Sequence, residues 1–276
     1  MRTIARVIGV IFLGVAYSVH AELKLEGQPI QGGWMMAYEQ DSSQPIVRAQ
    51  LDGKPLLISP SGYMVFGFGR DAQLHHELIV CYDKGDEKTY SITLDQQAYK
   101  IQRIEGIEPR IMEPSAENLI RIEHESAAVA AARKESSVRE NFLQKFIWPA
   151  KGPISGVYGS QRFYNGVPKN PHVGLDIAAP RGSWVRAPAA GKVVFAEPDL
   201  FYSGGTVIVD HGFGIFSTFI HMDSISVKAG DELKQSDKIG RVGSKGRASG
   251  PHLHWAMNWF EVRLDPAFWV TGSPLK

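Results

Sequence analysis

Cysteine is nearly absent from this sequence, and the single one, Cys81, excludes an intrachain disulfide. The fold must therefore rest on ordinary hydrophobic cores, and 276 residues with 43% hydrophobic side chains leave room for about two domains. An excess of charge of one sign is also missing, since 30 basic and 29 acidic residues give a formal net charge of +1. This balance does not favour nucleic acid or an anionic membrane surface as a partner.

A hydrophobic run of membrane-spanning length is missing as well. The apolar run over residues 7–19 is shorter than the roughly 20 residues that a spanning helix needs. Two arginines precede this run, and Val19-His20-Ala21 follows as a cleavage site, so residues 1–21 are predicted to be a secretory signal peptide. No cysteine follows that site to carry a lipid. We therefore expect a protein that is exported, periplasmic or secreted, without a membrane anchor.

Residues 22–104 consist of short alternating segments separated by turn residues. Asp52-Gly53 and Ser61-Gly62 predict hairpin turns, and evenly spaced strands of this kind favour a small β-sandwich or immunoglobulin-like domain. His75 and His76 are neighbours on one predicted strand and face opposite sides, which disfavours a metal site there. The predicted strands are SQPIVRAQLDG, KPLLISPSG, YMVFGFG, HELIVCYD and KTYSITL.

The composition changes between residues 105 and 145, where prolines mark a boundary and charged, alanine-rich sequence follows. Ser115 is a favourable helix N-cap, and the sequence from Ala116 to about Gln144 predicts a solvated connecting helix or pair of helices. A coiled-coil partner surface is the alternative for this segment. It is disfavoured because the apolar heptad is not sustained.

Residues 146–276 contain many glycines and no long helical pattern, and their short apolar segments predict a β-rich domain. The glycine-rich segment 243–246 lacks the arrangement of a phosphate-binding loop and predicts a turn into the strand that follows. The predicted strands are GLDIAA, GKVVFAE, GTVIVDH, GIFSTFIHM, KIGRVG and HLHWAMNWF.

Two histidines near the C-terminus and a His-Asp pair upstream have the composition of a metal site. Side chains alternate along a strand, so His252 and His254 face the same side. His172 and Asp176 lie four residues apart and offer one imidazole and one carboxylate. Together with His254 they make a set of three ligands that leaves the fourth position of a tetrahedral zinc open for water. Nitrogen and oxygen ligands without a thiolate favour zinc over calcium or magnesium.

These motifs occur in order along the chain, with His221 between them, and at this point the sequence resembles the lysostaphin/LytM-type zinc metallopeptidases that cut peptidoglycan cross-links. The resemblance runs from about Trp148 to Trp269, close to half of the chain. It is carried by HVGLD, RGSWVRAPAAGKVVFAE, GGTVIVDHGFGIFSTFIHM and GRASGPHLHW.

The resemblance implies a compact antiparallel β-sandwich with a groove, in which one zinc ion per chain is bound by His172, Asp176 and His254. His221 and His252 stand at the positions of the two non-ligand catalytic histidines of the family. Peptide hydrolysis needs a group that takes a proton from the attacking water and one that stabilises the developing charge. Which of the two histidines takes the proton and which stabilises the charge is left open.

The function implied is that of a zinc endopeptidase that hydrolyses peptide cross-links of peptidoglycan. The D-alanyl–diaminopimelate bond is favoured over a glycine-rich bridge, because the N-terminal β-domain and helical connector resemble those of periplasmic members. One alternative is a non-enzymatic activator of cell-wall amidases on the same fold. The complete ligand set counts against it. The other alternative is a latent endopeptidase whose groove is covered by the N-terminal domain or the connector, and a regulatory partner is left open.

Strand alternation also makes predictions about side chains around the site. It groups His221 with Ser217 and Phe219 on one face. His211, at a strand end, is predicted to be structural, with a hydrogen bond to a metal ligand as the alternative for it or for Asp210. Trp184, Tyr158, Phe163 and Tyr164 are candidates for the wall of the groove, and at least some of them are expected to belong to the core instead.

Overall fold

The computed structural model describes residues 23–39, 44–105, 114–134 and 136–275. The predicted signal peptide, residues 1–21, lies outside these ranges. Across the ranges that are described, no helix combines the length and the hydropathy needed to cross a membrane.

The described chain is mainly β, with one α-helix and two short 3₁₀ helices over residues 141–143 and 266–269. The helix is α1 (Ala116–Ala131). The strands are β1 (Leu23–Gly27), β2 (Trp34–Glu39), β3 (Ile46–Leu51), β4 (Lys54–Pro55), β5 (Met64–Gly67), β6 (His75–Tyr82), β7 (Glu87–Thr93), β8 (Ile101–Ile104), β9 (Ile154–Gly156), β10 (Gln161–Tyr164), β11 (Val167–Pro168), β12 (Leu175–Ala178), β13 (Trp184–Arg186), β14 (Gly191–Leu200), β15 (Gly204–Gly212), β16 (Ile215–Ile225), β17 (Glu232–Leu233), β18 (Lys238–Val242), β19 (His252–Trp259) and β20 (Val262–Leu264).

Two antiparallel sheets form the N-terminal region, in the orders β1-β2-β5 and β4-β3-β6-β7. Their inner faces share one core, in which Met64 and Phe66 of the first sheet meet Leu78 and Val80 of the second. Two sheets around one core make a sandwich, as the alternating segments predict. Strands β1 and β2 are additions that the sequence did not predict.

The two predicted turns have different outcomes. Asp52 and Gly53 have φ values of 49° and 76° and close a two-residue hairpin between β3 and β4, as predicted. Gly62 also has a positive φ of 82°, so a turn forms there too. It is not a hairpin, however, because β4 and β5 on its two sides belong to different sheets.

Helix α1 begins where the sequence predicts, with the Ser115 hydroxyl accepting a hydrogen bond from the Asn118 amide. It ends at Ala131, earlier than the predicted end near Gln144. In the segment that follows, the Asp210 carboxylate accepts hydrogen bonds from the Ser136 hydroxyl and the Ser137 amide. None of the residues of α1 is buried, as expected for a solvated connector.

The large sheet of the C-terminal region is antiparallel, with the order β17-β14-β15-β16-β19-β12-β9. Strand β18 branches from β16 and pairs with β13, while β20 pairs with β19. The six strands predicted for this region all form. Their buried faces enclose a second core that includes Ile177, Phe219 and Trp255.

The N-terminal sandwich and the large sheet are joined by a shared apolar contact. Val65 of β5 belongs to the core of the large sheet. The Trp34 ring stacks on Trp269 with 4.5 Å between centroids, and its indole N–H donates to the Phe268 carbonyl at 3.0 Å. Strand β8 pairs in parallel with β10. The division of the chain at residues 104/105 and 145/146 stays a prediction.

Replacing Trp34 by Ala should lower the free energy of unfolding by roughly 2–4 kcal/mol, since it removes a half-buried ring and its hydrogen bond from the junction. Urea titration followed by circular dichroism and by fluorescence should give coincident transitions, because both regions share this contact. Leu57→Ala, at a side chain that is 52% exposed, is the control and should change little. Two separate transitions in the wild-type chain would contradict the shared-core description.

Candidate metal centre

The pairing of β12 with β19 places Asp176 directly opposite His254. On the other side of β19, Ile220 of β16 lies opposite His254. Directly opposite residues of an antiparallel pair point to the same face, so all three lie on the groove side of the sheet. His252 is two residues before His254 and shares that face, as its spacing predicts.

Three side chains converge at this point, and each is nearly buried. The Nδ1 atom of His254 lies 2.8 Å from Oδ1 of Asp176 and 2.9 Å from Nε2 of His172. His172 Nε2 is in turn 3.0 Å from the same carboxylate oxygen. The structure thus brings together the three residues that the sequence predicts as ligands.

The protonation of these groups fits a cation at their centre. His172 Nδ1 lies 2.9 Å from the Val157 carbonyl, which only accepts, so Nδ1 carries a proton. In the neutral form that binds metal ions, Nε2 therefore presents a lone pair to the carboxylate oxygen of Asp176, which also only accepts. A metal ion between them removes this conflict. Ligand atoms on a tetrahedral zinc lie about 3.3 Å apart, close to the spacing present here.

The charges of the group also suit a divalent ion. Burial raises the pKa of Asp176, but the adjacent His172 and His254 lower it by more, and the carboxyl is ionised at neutral pH. Burial lowers the pKa of His254 to about 4. Its imidazole is therefore neutral near pH 7, which is the form that binds metal ions.

Two further histidines line the same groove without joining the three-residue group. His221 Nδ1 lies 2.8 Å from the Lys245 carbonyl, and His252 Nδ1 lies 2.8 Å from the Gly250 carbonyl. Each carbonyl fixes the proton on Nδ1 of a neutral ring, so Nε2 is left as a base. Burial lowers the pKa of His221 to about 4, which keeps this ring neutral at pH 7.

His221 reaches the groove by a backbone irregularity, and the predicted grouping with Ser217 and Phe219 is wrong. Those two side chains are fully buried on the opposite face. His221 has a φ of 66°, and the register between β15 and β16 shifts at this point. A bulge of this kind turns a side chain to the other face of a strand. A hydrogen bond from the His221 amide to the Ser203 carbonyl holds the unusual conformation.

The groove has a volume of about 830 Å³ and is basic. Asp176 is the one carboxylate among its described lining residues, whereas Arg162, Lys169 and Arg247 bring three permanent cations. The Arg247 guanidinium lies over the ring of Tyr202, 4.5 Å from its centroid. The sequence does not predict these four residues, because an isolated basic or aromatic residue carries no spacing signal.

Three of the four aromatic candidates do not line the groove. The Trp184 ring instead contacts Arg241 and Lys238, and Tyr158 is a buried core residue, as expected for some of the four. Phe163 does not line the groove and instead faces Arg103. The fourth residue, Tyr164, lies on β10, and its side chain is not among those that the structure describes.

His211 has the structural role that the sequence predicts for it. It is fully buried, and burial lowers its pKa to about 4. Its Nδ1 contacts the Ala190 carbonyl at 2.7 Å, and its Nε2 contacts the Ser217 hydroxyl at 2.8 Å. The carboxylate of Asp210 binds Ser136, Ser137 and its near neighbour Gly212. Neither side chain hydrogen-bonds a residue of the three-residue group.

Comparison with known proteins finds a matching family model, solved structures and curated relatives, all of related kinds. The sequence model of Peptidase family M23 matches residues 170–266. A crystal structure from Pseudomonas aeruginosa, assigned to peptidase M23, is 31% identical, and the match covers 88% of this chain and 95% of that one with a TM-score of 0.66. The cell division protein DipM of Caulobacter vibrioides is 31% identical over 138 residues, which are 50% of this chain and 22% of DipM.

The peptidoglycan DD-endopeptidase ShyA of Vibrio cholerae is 31% identical over 126 residues. These residues are 45% of this chain and 29% of ShyA. The chain therefore spans less than a third of the length of DipM and of ShyA.

Replacing Gly174 by Ala should weaken metal binding about tenfold or more, because the new methyl group would lie 2.5 Å from His254 Nε2 and displace that ring. Competition with a chromophoric zinc chelator measures the change. Gly69→Ala is the matched control, since its methyl group would meet only Val262 at an ordinary 3.7 Å. Equal zinc affinity in the Gly174 variant and the wild type would contradict the packing described for His254.

Proposed function

The chain belongs to peptidase family M23, and we propose that it is a zinc-dependent endopeptidase that hydrolyses peptide cross-links of peptidoglycan after export. The convergence of His172, Asp176 and His254, whose ligand atoms lie 2.8–3.0 Å apart in a buried cluster, carries this proposal. The family membership supports a peptidase. Both the leader, which lies outside the described residues, and a periplasmic or secreted location belong to the proposal.

In this proposal His172, Asp176 and His254 would hold one zinc ion. When bound, zinc with three protein ligands would lower the pKa of a water to about 7 and would polarise the scissile carbonyl. His221 and His252 each have Nδ1 hydrogen-bonded to a backbone carbonyl, which leaves Nε2 for the groove, and they are the groups that move protons there. One takes the proton of the attacking water. The other, once protonated, stabilises the developing oxyanion or gives a proton to the leaving amine.

The basic groove supports an anionic substrate. In a D-alanyl–diaminopimelate cross-link, a free carboxylate sits on the carbon next to the scissile amide nitrogen, whereas a glycine bridge carries no such charge. Lys169 and Arg247 line the groove and can attract that carboxylate. ShyA, a similar protein, is named a peptidoglycan DD-endopeptidase. We therefore favour the D-alanyl–diaminopimelate bond.

The described residues do not support a groove covered by the N-terminal region. The residues that line it lie between positions 162 and 254. Neither the described N-terminal strands nor α1 contributes to that lining.

The mature chain should convert cross-linked muropeptide dimers to monomers, and mass spectrometry of the products should name the bond cut. Chelation should abolish the reaction and zinc should restore it, because the proposed reaction needs the metal ion that the three side chains bind. His254→Ala should be inactive with or without zinc, and His75→Ala, at an exposed position on β6 of the N-terminal sandwich, should keep wild-type activity.

A wild-type chain that binds zinc but releases no product from dimers would contradict the endopeptidase proposal. Stimulation of a cell-wall amidase by that same inactive chain would favour the activator function instead. Cleavage that survives full removal of zinc would contradict the metal dependence.

Replacing His221 or His252 by Ala should leave zinc bound and lower turnover by about 10²–10⁴-fold, because each removes a proton-transfer group that is not a ligand. Zinc content by atomic emission and kcat on the dimer substrate separate the two effects. Loss of zinc from either variant would mean that the residue is a ligand, and it would overturn this division of roles.

A further inference from the structure

Arg162 on β10 connects the candidate metal centre to the N-terminal region. Its Nη2 lies 3.4 Å from Oδ2 of Asp176, and its Nε lies 3.3 Å from Oε1 of Gln102 on β8. Arg162 and Gln102 are register partners in the parallel β8–β10 pair, which sets them side by side on one face. The arginine therefore contacts a residue on each side.

The two oxygens of Asp176 have different surroundings. Oδ1 faces His172 and His254 at 3.0 and 2.8 Å. Oδ2 faces Arg162, and the backbone of Gly156 packs closely behind it, since a methyl group there would lie 2.2 Å from Oδ2. The carboxylate is thus held so that a single oxygen points toward the histidines.

We propose that Arg162 is a positioning residue that, braced by Gln102, fixes Asp176 as a one-oxygen ligand and so makes strand β8 part of the metal centre. This inference rests on the proposed zinc site. A carboxylate that turned both oxygens to the metal would fill the position needed by water, and a guanidinium on Oδ2 opposes that rotation. Arg162 does not touch the reacting atoms in this role.

The arrangement of the guanidinium favours this role over a direct contact with substrate. Nε and Nη2 are both directed at partners within the protein, and the side chain is only 25% exposed. Arg103, the next residue on β8, lies instead over the ring of Phe163, 4.5 Å from its centroid. It provides a matched control, since it carries the same charge on the neighbouring strand without contact to Asp176.

Zinc affinity of the full mature chain tests the proposal, measured by competition with a chromophoric chelator. Arg162→Gln should bind zinc about tenfold more weakly than the wild type. The zinc affinity of Arg162→Lys should lie between the two, because lysine keeps the positive charge but lacks the two guanidinium donors that reach separate partners. Gln102→Leu should weaken binding by a smaller factor, since it removes the brace alone. Arg103→Gln should bind as the wild type does. Thermal melts show whether each variant is folded.

Cobalt(II) in place of zinc gives a second measurement, because a four-coordinate site absorbs visible light more strongly than a five-coordinate one. The absorption of Arg162→Gln should fall as Asp176 turns its second oxygen to the metal. If Arg162→Gln does not fold, the zinc affinities of Gln102→Leu and Arg103→Gln test the proposal, and weaker binding by the Gln102 variant supports it.

Three results would overturn the proposal, and they are distinguishable. Unchanged zinc affinity with a raised KM in Arg162→Gln would make the arginine a substrate contact. Equal zinc affinity in the Gln102 and Arg103 variants would remove β8 from the metal centre. A wild-type chain that binds no zinc would overturn both the proposed metal site and this inference. The first two results would overturn this inference alone and leave the proposed metal site intact.

Discussion

The register between β12 and β19 is the constraint on which the site depends. It sets Asp176 opposite His254, and a slip of one residue would turn His254 to the other face of the sheet. Leu253 and Trp255, on either side of His254, are fully buried in the core on that face. Each stabilises the correct register by roughly 2–3 kcal/mol of apolar burial. The hydrophobic pattern therefore positions the proposed polar ligands.

Backbone carbonyls set the chemistry that the register makes possible. The carbonyls of Val157, Lys245 and Gly250 each accept from Nδ1 of a groove histidine, and in this way they select which nitrogen of each ring carries the proton. All three carbonyls belong to loops or turns rather than to the central strands. The sheet fixes the positions of the histidines, and the loops fix which nitrogen of each ring carries a proton.

The parts of the fold that the sequence predicts are those with a local period. The grouping of the proposed ligands His172, Asp176 and His254 follows from motif spacing, and the strands of the large sheet follow from alternation. The face of His221 does not follow, because a bulge reverses the alternation at that residue. The role of Trp34 also escapes prediction, since its partners lie more than 200 positions away and leave no trace in local pattern.

These long-range contacts give the N-terminal sandwich a structural role in the C-terminal region. The family match covers residues 170–266, yet the core of the large sheet is completed by Val65, and Trp269 is covered by Trp34. A C-terminal sheet without that cover would expose apolar surface to water, at a cost that grows with the area exposed. The same region supplies β8, the strand that lies beside β10 at the edge of the groove. The sandwich is therefore part of the structural support of the site, whatever it binds in addition.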